Sequence, residues 1–335
     1  MSASTEPAAG ATAGAVSRRS AVRARILRTV GTPSALIGCG LMAVVLVASL
    51  LADTIAPGDP FASSGPGLLP PSADYLMGTD NFGRDIAGAI VHGLRTSMTI
   101  VFWVVLISLV IGLTVGILSG YRGGWLDDVL SRLTEVFQAI PLFFLALLVV
   151  GFFGSGIDNL ILLLGFTSWE LLARVVRAET LSLRKLEFVE AARSSGASAT
   201  RIMLGHILPN VLPAAAVVMA LVGSRVILIE AALSFIGLGD PNEVSLGYLI
   251  FGAQPFLRVA WWMSVFPGLA IVIAVLAINL TGDLVADLLD PRRNAASART
   301  RRRRRGPGVV DAGPERPTAE GSTTDAAVLE SDRGR

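Results

Sequence analysis

The chain has 335 residues, 52% of them hydrophobic and only 16% charged, with a net charge of +2 and a mean hydropathy of +0.63. A soluble globular protein carries roughly 25% charged residues, so this balance excludes an ordinary water-soluble enzyme and defines a polytopic membrane protein. Its one cysteine, Cys39, excludes a disulfide framework, a cysteine zinc site and an iron–sulfur cluster.

Residues 1–28 are rich in Ala, Gly, Ser and Arg without an apolar period, and read as a disordered cytoplasmic tail. An apolar helix needs about 20 residues to cross a bilayer, and no Asp, Glu, Lys or Arg occurs from Thr29 to Ala52, so residues 29–53 form the first span. Leu36-Ile37-Gly38-Cys39 spells a lipoprotein-type cleavage box, but the apolar stretch follows the cysteine instead of preceding it. Cys39 therefore reads as a small residue packed in the first helix. Residues 54–95 read as a loop containing Gly78-Thr79-Asp80-Asn81-Phe82-Gly83-Arg84-Asp85, in which Asp80 suits a turn and Asp85 the cap of an interfacial helix. Two further charge-free runs, Thr96 to Tyr121 and Val136 to Ile157, give the second and third spans. The fourth is short: Asn159 to Trp169 is uncharged, Glu170 intrudes, and Leu171, Leu172, Val175 and Val176 continue an apolar face. The fifth candidate, Pro213 to Phe235, contains Arg225 and Glu230, and Val259 to Gly282 gives the sixth. Residues 292–335 read as a second disordered tail, rich in Arg.

Counting arginines decides whether the short fourth segment spans. With six spans and a cytoplasmic N-terminus, the outside holds only Arg84, Arg95 and Arg258, while the inside holds the remaining clusters, including Arg301 to Arg305. Dropping the fourth span would put that C-terminal run outside. Six spans with both termini inside is the expected topology, with the core at 96–291. The arginine run then reads as an anchor at an anionic inner leaflet and not as a nucleic-acid contact.

Residues 181–213 are too polar to span yet well patterned. Leu186, Val189 and Ala192 fall at helical spacing, Gly196 suits the position after a helix end, and Ser198 can cap the next helix. Pro209 and Pro213 are expected to break the chain before the fifth span. Charges inside a span face a bundle interior or an aqueous path, so Arg225 and Glu230 either line a pathway or form an intramembrane pair. His92 and His206 are too scattered for a metal site, and the single lysine, Lys185, lacks the glycine-rich approach of a P-loop.

Glu190-Ala191-Ala192, then Gly196-Ala197-Ser198 and Ile207-Leu208-Pro209, resembles the EAA loop of ABC importer permeases. Gly78 to Asp85, Ala232-Leu233-Ser234-Phe235-Ile236-Gly237-Leu238-Gly239, and Asn279-Leu280-Thr281-Gly282-Asp283 with Asp290-Pro291-Arg292 are similar to the signatures of the second, or C-type, permease of dipeptide, oligopeptide and nickel importers. The resemblance runs from about Arg25 to Arg293. The departure is Leu246, where the family usually has tryptophan.

That resemblance implies an all-α bacterial plasma-membrane subunit of the type I importer permease fold, without catalytic residues of its own. It implies pairing with a second permease, two ATPase subunits that hold ATP and Mg, and an extracytoplasmic binding protein. Glu190, Ala191, Ala192, Gly196, Ala197 and Ser198 would then couple to the ATPases. The chain itself would hold no cofactor or metal. Di- or oligopeptides are the expected cargo, with nickel or another small solute as the alternative within the family. From a different class, a proton-coupled secondary transporter could use Glu230.

Overall fold

The computed structural model describes residues 32–289; the expected tails and Asp290-Pro291-Arg292 lie outside them. All regular structure among the described residues is helical. In chain order it comprises α1 (Pro33–Leu50), α2 (Ala52–Ile55), α3 (Ile86–Arg122), α4 (Gly124–Ala139), α5 (Leu142–Phe153), α6 (Ile157–Thr167), α7 (Trp169–Leu183), α8 (Glu187–Ser194), α9 (Ala199–Ile202), α10 (Leu208–Phe235), α11 (Leu246–Ala253) and α12 (Trp262–Leu289). A π turn, Met203–Ile207, joins α9 to α10.

Among the described residues, five helical stretches are long and apolar enough to cross a membrane: α1, α3, α6 with α7, α9 through α10, and α12. The short fourth candidate is the most buried of them, with 61% of its most apolar window inside the bundle. That burial accommodates Glu170 within the span, because its side chain lies inside the bundle at 8% exposure. It packs along α3, where Gly112, Gly116 and Gly120 lie one helical turn apart against Leu172, Val176 and Thr180. A side chain at any of the three would collide, so the sequence spacing sets how closely the two helices approach.

The third candidate behaves differently from its expectation. The apolar run from Val136 is broken at Ile140-Pro141, where both residues are extended, and α4 meets α5 at 81°. Proline disfavours helix at the residue before it and lacks the N–H needed to continue the ladder. α5 alone is about 18 Å long, so this bent pair makes a sixth span only as a broken one. An Arg177 guanidinium fastens α4 to α7 by donating to both carboxylate oxygens of Asp127, at 2.6 and 2.7 Å.

Two other boundaries shift. Asp85 caps α3 by accepting from the N–H groups of Ala87 and Gly88, so the helix starts at Ile86 and the loop expected over 54–95 is shorter by one polar helical segment. Counting charge-free residues marks only the apolar part of a helix, and His92 and Arg95 lie on its polar continuation. Pro209 and Pro213 do not break the chain. The π turn before them already takes the ladder out of its i−4 register, with the Leu208 N–H donating to the Met203 carbonyl. Asn210 Nδ2 covers the His206 carbonyl at 2.7 Å.

Candidate coupling site and intramembrane polar cluster

The segment 181–213 forms the helix, turn and helix that its pattern predicts. α8 ends at Ser194, and Gly196 follows with φ +78°, the left-handed region. The Ala197 N–H donates to Ala192 O at 3.1 Å and the Gly196 N–H to Arg193 O at 3.0 Å. This pair of bonds is a Schellman motif, which uses a glycine to satisfy the last carbonyls of a helix. Ser198 then caps α9 by accepting from the Arg201 N–H. A Cβ at Gly196 would meet nothing within 4 Å, so backbone conformation alone demands glycine there.

The unit is anchored on one side and open on the other. Val189, Ile202 and Ile207 are buried in the core, and the Arg193 guanidinium lies 6.0 Å from the Tyr121 ring at the end of α3. Glu190, Ala191, Gly196 and Ser198 are exposed, while Ala192 and Ala197 are half-buried against the core. Leu186, Phe188 and Leu204 add exposed apolar surface beside them. Small and apolar groups together on a rigid protruding turn suit docking with close backbone approach.

The segment Gly78 to Asp85 is a structural knot at the start of α3. The Thr79 hydroxyl donates to Pro66 O at 2.8 Å and accepts from the Leu69 N–H at 2.9 Å. Asp80 Oδ1 accepts from the N–H groups of Phe82 and Arg84. The Arg84 guanidinium lies over the Phe61 and Phe82 rings at 5.0 and 4.7 Å, and Trp262 Nε1 donates to Thr79 O. Both aspartates thus serve as caps, and the knot ties the start of α12 to the start of α3.

Arg225 and Glu230 do not pair. Five residues along a helix turn the direction by about 140°, so the two side chains leave α10 on different faces. Glu230 is 2% exposed and accepts from the hydroxyls of Ser245 at 2.6 Å, Ser234 at 3.0 Å and Ser97 at 3.4 Å. Ser97 and Ser245 also accept from the N–H groups of Leu246 and Tyr248. One carboxylate therefore joins α3, α10 and the start of α11. Leu246, the position of departure, is fully buried beside this cluster. Arg225 instead reaches Glu170 on α7, with Nη1 3.8 Å from Oε1. Sequence reasoning missed the grouping of the three serines because they lie apart in the chain, and only the packing of α3, α10 and α11 brings them to one carboxyl group. Glu170 was visible only as an interruption.

A helical bundle of this kind, with several helices long and apolar enough to cross a membrane and two carboxyl groups buried between them, is that of a multi-pass membrane protein. Residues 112–295 match the family of binding-protein-dependent transport system inner membrane components, and the chain belongs to that family. Among curated relatives, the dipeptide transport system permease protein DppC of Haemophilus influenzae is 37% identical, covering 77% of this chain and 90% of that one. The oligopeptide transport system permease protein OppC of Mycobacterium bovis is 38% identical over 67% of this chain and 78% of its own length. A solved structure of the MetNI methionine ABC transporter, in an inward-facing conformation, matches with a TM-score of 0.52 at 21% identity, covering 60% of this chain and 96% of that one. This likeness supports the type I importer permease fold. The chain is a transmembrane permease subunit of an ATP-driven importer, and this sets aside the secondary-transporter alternative.

Proposed function

We propose that this chain forms half of a translocation pathway for di- or oligopeptides and couples it to two ATPase subunits through α8, Gly196 and α9. The peptide assignment draws on the names of its relatives, which favour peptides over nickel. A second, different permease completes the pathway, and an extracytoplasmic binding protein delivers the substrate. ATP and Mg reside on the ATPase subunits; this chain binds neither and catalyses no bond change. Both termini face the cytoplasm, with α4 and α5 together serving as the broken third span.

The observation that carries the coupling role is the exposed turn held by the Schellman bonds at Gly196. Movement of docked ATPases would pull on α8, and through the burial of Val189 and Ile202 would reach α3 and α10. Gly196→Val forces a β-branched residue into left-handed backbone at a cost of at least 1–2 kcal/mol. Coupling free energies are typically about 1–3 kcal/mol, so that displacement suffices to disconnect the ATPases. The expected result is near-normal membrane insertion with uptake lost, either because the ATPase subunits no longer co-purify or because their hydrolysis no longer responds to loaded binding protein. Gly205→Ala, at a position where a Cβ meets nothing within 4 Å, should transport normally. Normal uptake by Gly196→Val, with the ATPases bound and stimulated, would overturn the coupling assignment.

A further inference from the structure

Along α10, Val217, Leu221, Leu228 and Phe235 share one open face at helical spacing, and all are exposed. Arg225 falls in the middle of this otherwise apolar stripe, with its side chain 55% exposed. It lies roughly 15 Å of helix from the end at Phe235, about half the thickness of a hydrocarbon core. Its partner, Glu170, sits midway along the stretch Ile157–Leu183, so a guanidinium and a carboxylate from two spans meet at the same depth. Glu170 is 8% exposed and its Oε2 is buried without a hydrogen-bond partner. The ion pair is a single long approach of 3.8 Å, which leaves most of the guanidinium's donors uncommitted.

Three surroundings are open to such a stripe in the assembled importer. Lipid would desolvate a half-open arginine at the depth where that is most costly. A dry protein interface would do the same with only one distant counter-charge to compensate. Water is the surrounding in which an exposed guanidinium and an incompletely paired carboxylate persist together. We propose that Arg225, positioned by Glu170, lines the water-filled path of the importer and recognises the carboxylate of the passing solute. This rests on the importer reading and adds a specificity-determining residue to it.

The chemistry narrows the class of solute. A guanidinium offers a planar fork that matches a carboxylate with two parallel N–H donors. Glu170 beside it makes the pair neutral overall, which disfavours a multiply charged anion such as phosphate and suits a solute carrying one carboxylate and one ammonium group. Leu221 and Leu228, one turn to either side, give apolar walls that accept side chains of varied shape. A peptide terminus meets this description.

The test uses the assembled importer in proteoliposomes, in a Cys39→Ser background compared with that parent, with Leu221→Cys or Leu228→Cys added. Anionic and cationic methanethiosulfonates of similar size probe each thiol. Both positions should react, and Arg225→Gln should lower the anionic-to-cationic rate ratio at least threefold, because the local positive field is gone. Dipeptide uptake should fall at least tenfold in Arg225→Gln with all subunits still assembled, and Arg225→Lys should restore part of it. An arginine turned away from the aqueous path would not move the rate ratio, and a merely structural one would not give reduced uptake with all subunits assembled. Thiols that stay unreactive in the assembled complex would place the stripe against lipid or a partner and overturn the proposal. An unchanged ratio, or undiminished uptake in Arg225→Gln, would also overturn it. If those results came from an importer that still carries dipeptides, the importer reading would stand without this inference. If the parent carried no dipeptide while the thiols reacted with the expected ratio, the peptide assignment would fall and the path assignment would stand.

Discussion

Replacing Glu230 by leucine separates a structural cluster from a transport site. The carboxylate accepts from three hydroxyls, but the three contacts are unequal. Ser245 at 2.6 Å is the short contact, and leaving its buried hydroxyl without that partner costs about 1–3 kcal/mol. Ser234, one turn along the same helix, can turn its hydroxyl to a carbonyl of its own helix when the carboxylate is removed. Ser97 at 3.4 Å is long, but it would be left buried with only the Leu246 N–H beside it. Leucine fills much of the vacated volume, so the cavity contribution is small. The expected loss for Glu230→Leu is about 3 kcal/mol, most of it from the hydroxyls of Ser245 and Ser97.

The informative assay is a double-mutant cycle of Glu230→Leu with Ser245→Ala, read as resistance of the membrane-inserted subunit to denaturant or heat. Ser245 also caps α11 by accepting from Tyr248, and losing that cap costs about 1 kcal/mol in both arms, so it cancels. The double variant should be more stable than the summed single effects by about 1–3 kcal/mol. Arg225→Gln combined with Glu230→Gln should instead be additive within about 0.5 kcal/mol, because the two residues share no partner. Stability of Glu230→Leu equal to that of the parent, or strong coupling between Arg225 and Glu230, would refute this account of the cluster.

Topology is checked with single cysteines in a Cys39→Ser background: an impermeant thiol reagent applied to intact cells should label position 72 and leave position 194 unlabelled, both being exposed serines in the native chain. Labelling at 194 from outside would reverse the orientation. For the fastening of α4 to α7, Arg177→Ala and Asp127→Ala should each lower the yield of folded subunit, and a double-mutant cycle should return a coupling of about 1–2 kcal/mol. Zero coupling would mean that the bent pair is held by its apolar contacts alone.

The bundle was legible because crossing a membrane constrains sequence so strongly: charge-free runs and arginine asymmetry locate spans without any knowledge of packing. Composition measures what lipid tolerates and not where a helix bends. The run from Val136 therefore read as one span although Pro141 carried the signal for a break, and Pro209 and Pro213 read as breaks although a π turn accommodates them. At the turn between α8 and α9, local chemistry suffices. Gly196 and Ser198 have roles fixed by backbone geometry within a few residues, and the structure places both as the pattern predicts.

The intramembrane charges were legible as residues but not as partners, and the difference is one of range. Whether Arg225 meets Glu230 or Glu170 depends on which face of α10 points to which neighbour. Helical periodicity sets the first half of that question, and five positions along one helix already weigh against Arg225 meeting Glu230. The second half depends on the glycine-spaced approach of α7 to α3, which brings Glu170 to the depth of Arg225, and on the hydroxyl of Ser245 arriving from a separate helix. A buried carboxylate satisfied by three hydroxyls and a half-open arginine beside an incompletely paired acid are opposite solutions to charge in a membrane. The first closes around its charge and holds helices together; the second leaves donors open where a solute can reach them.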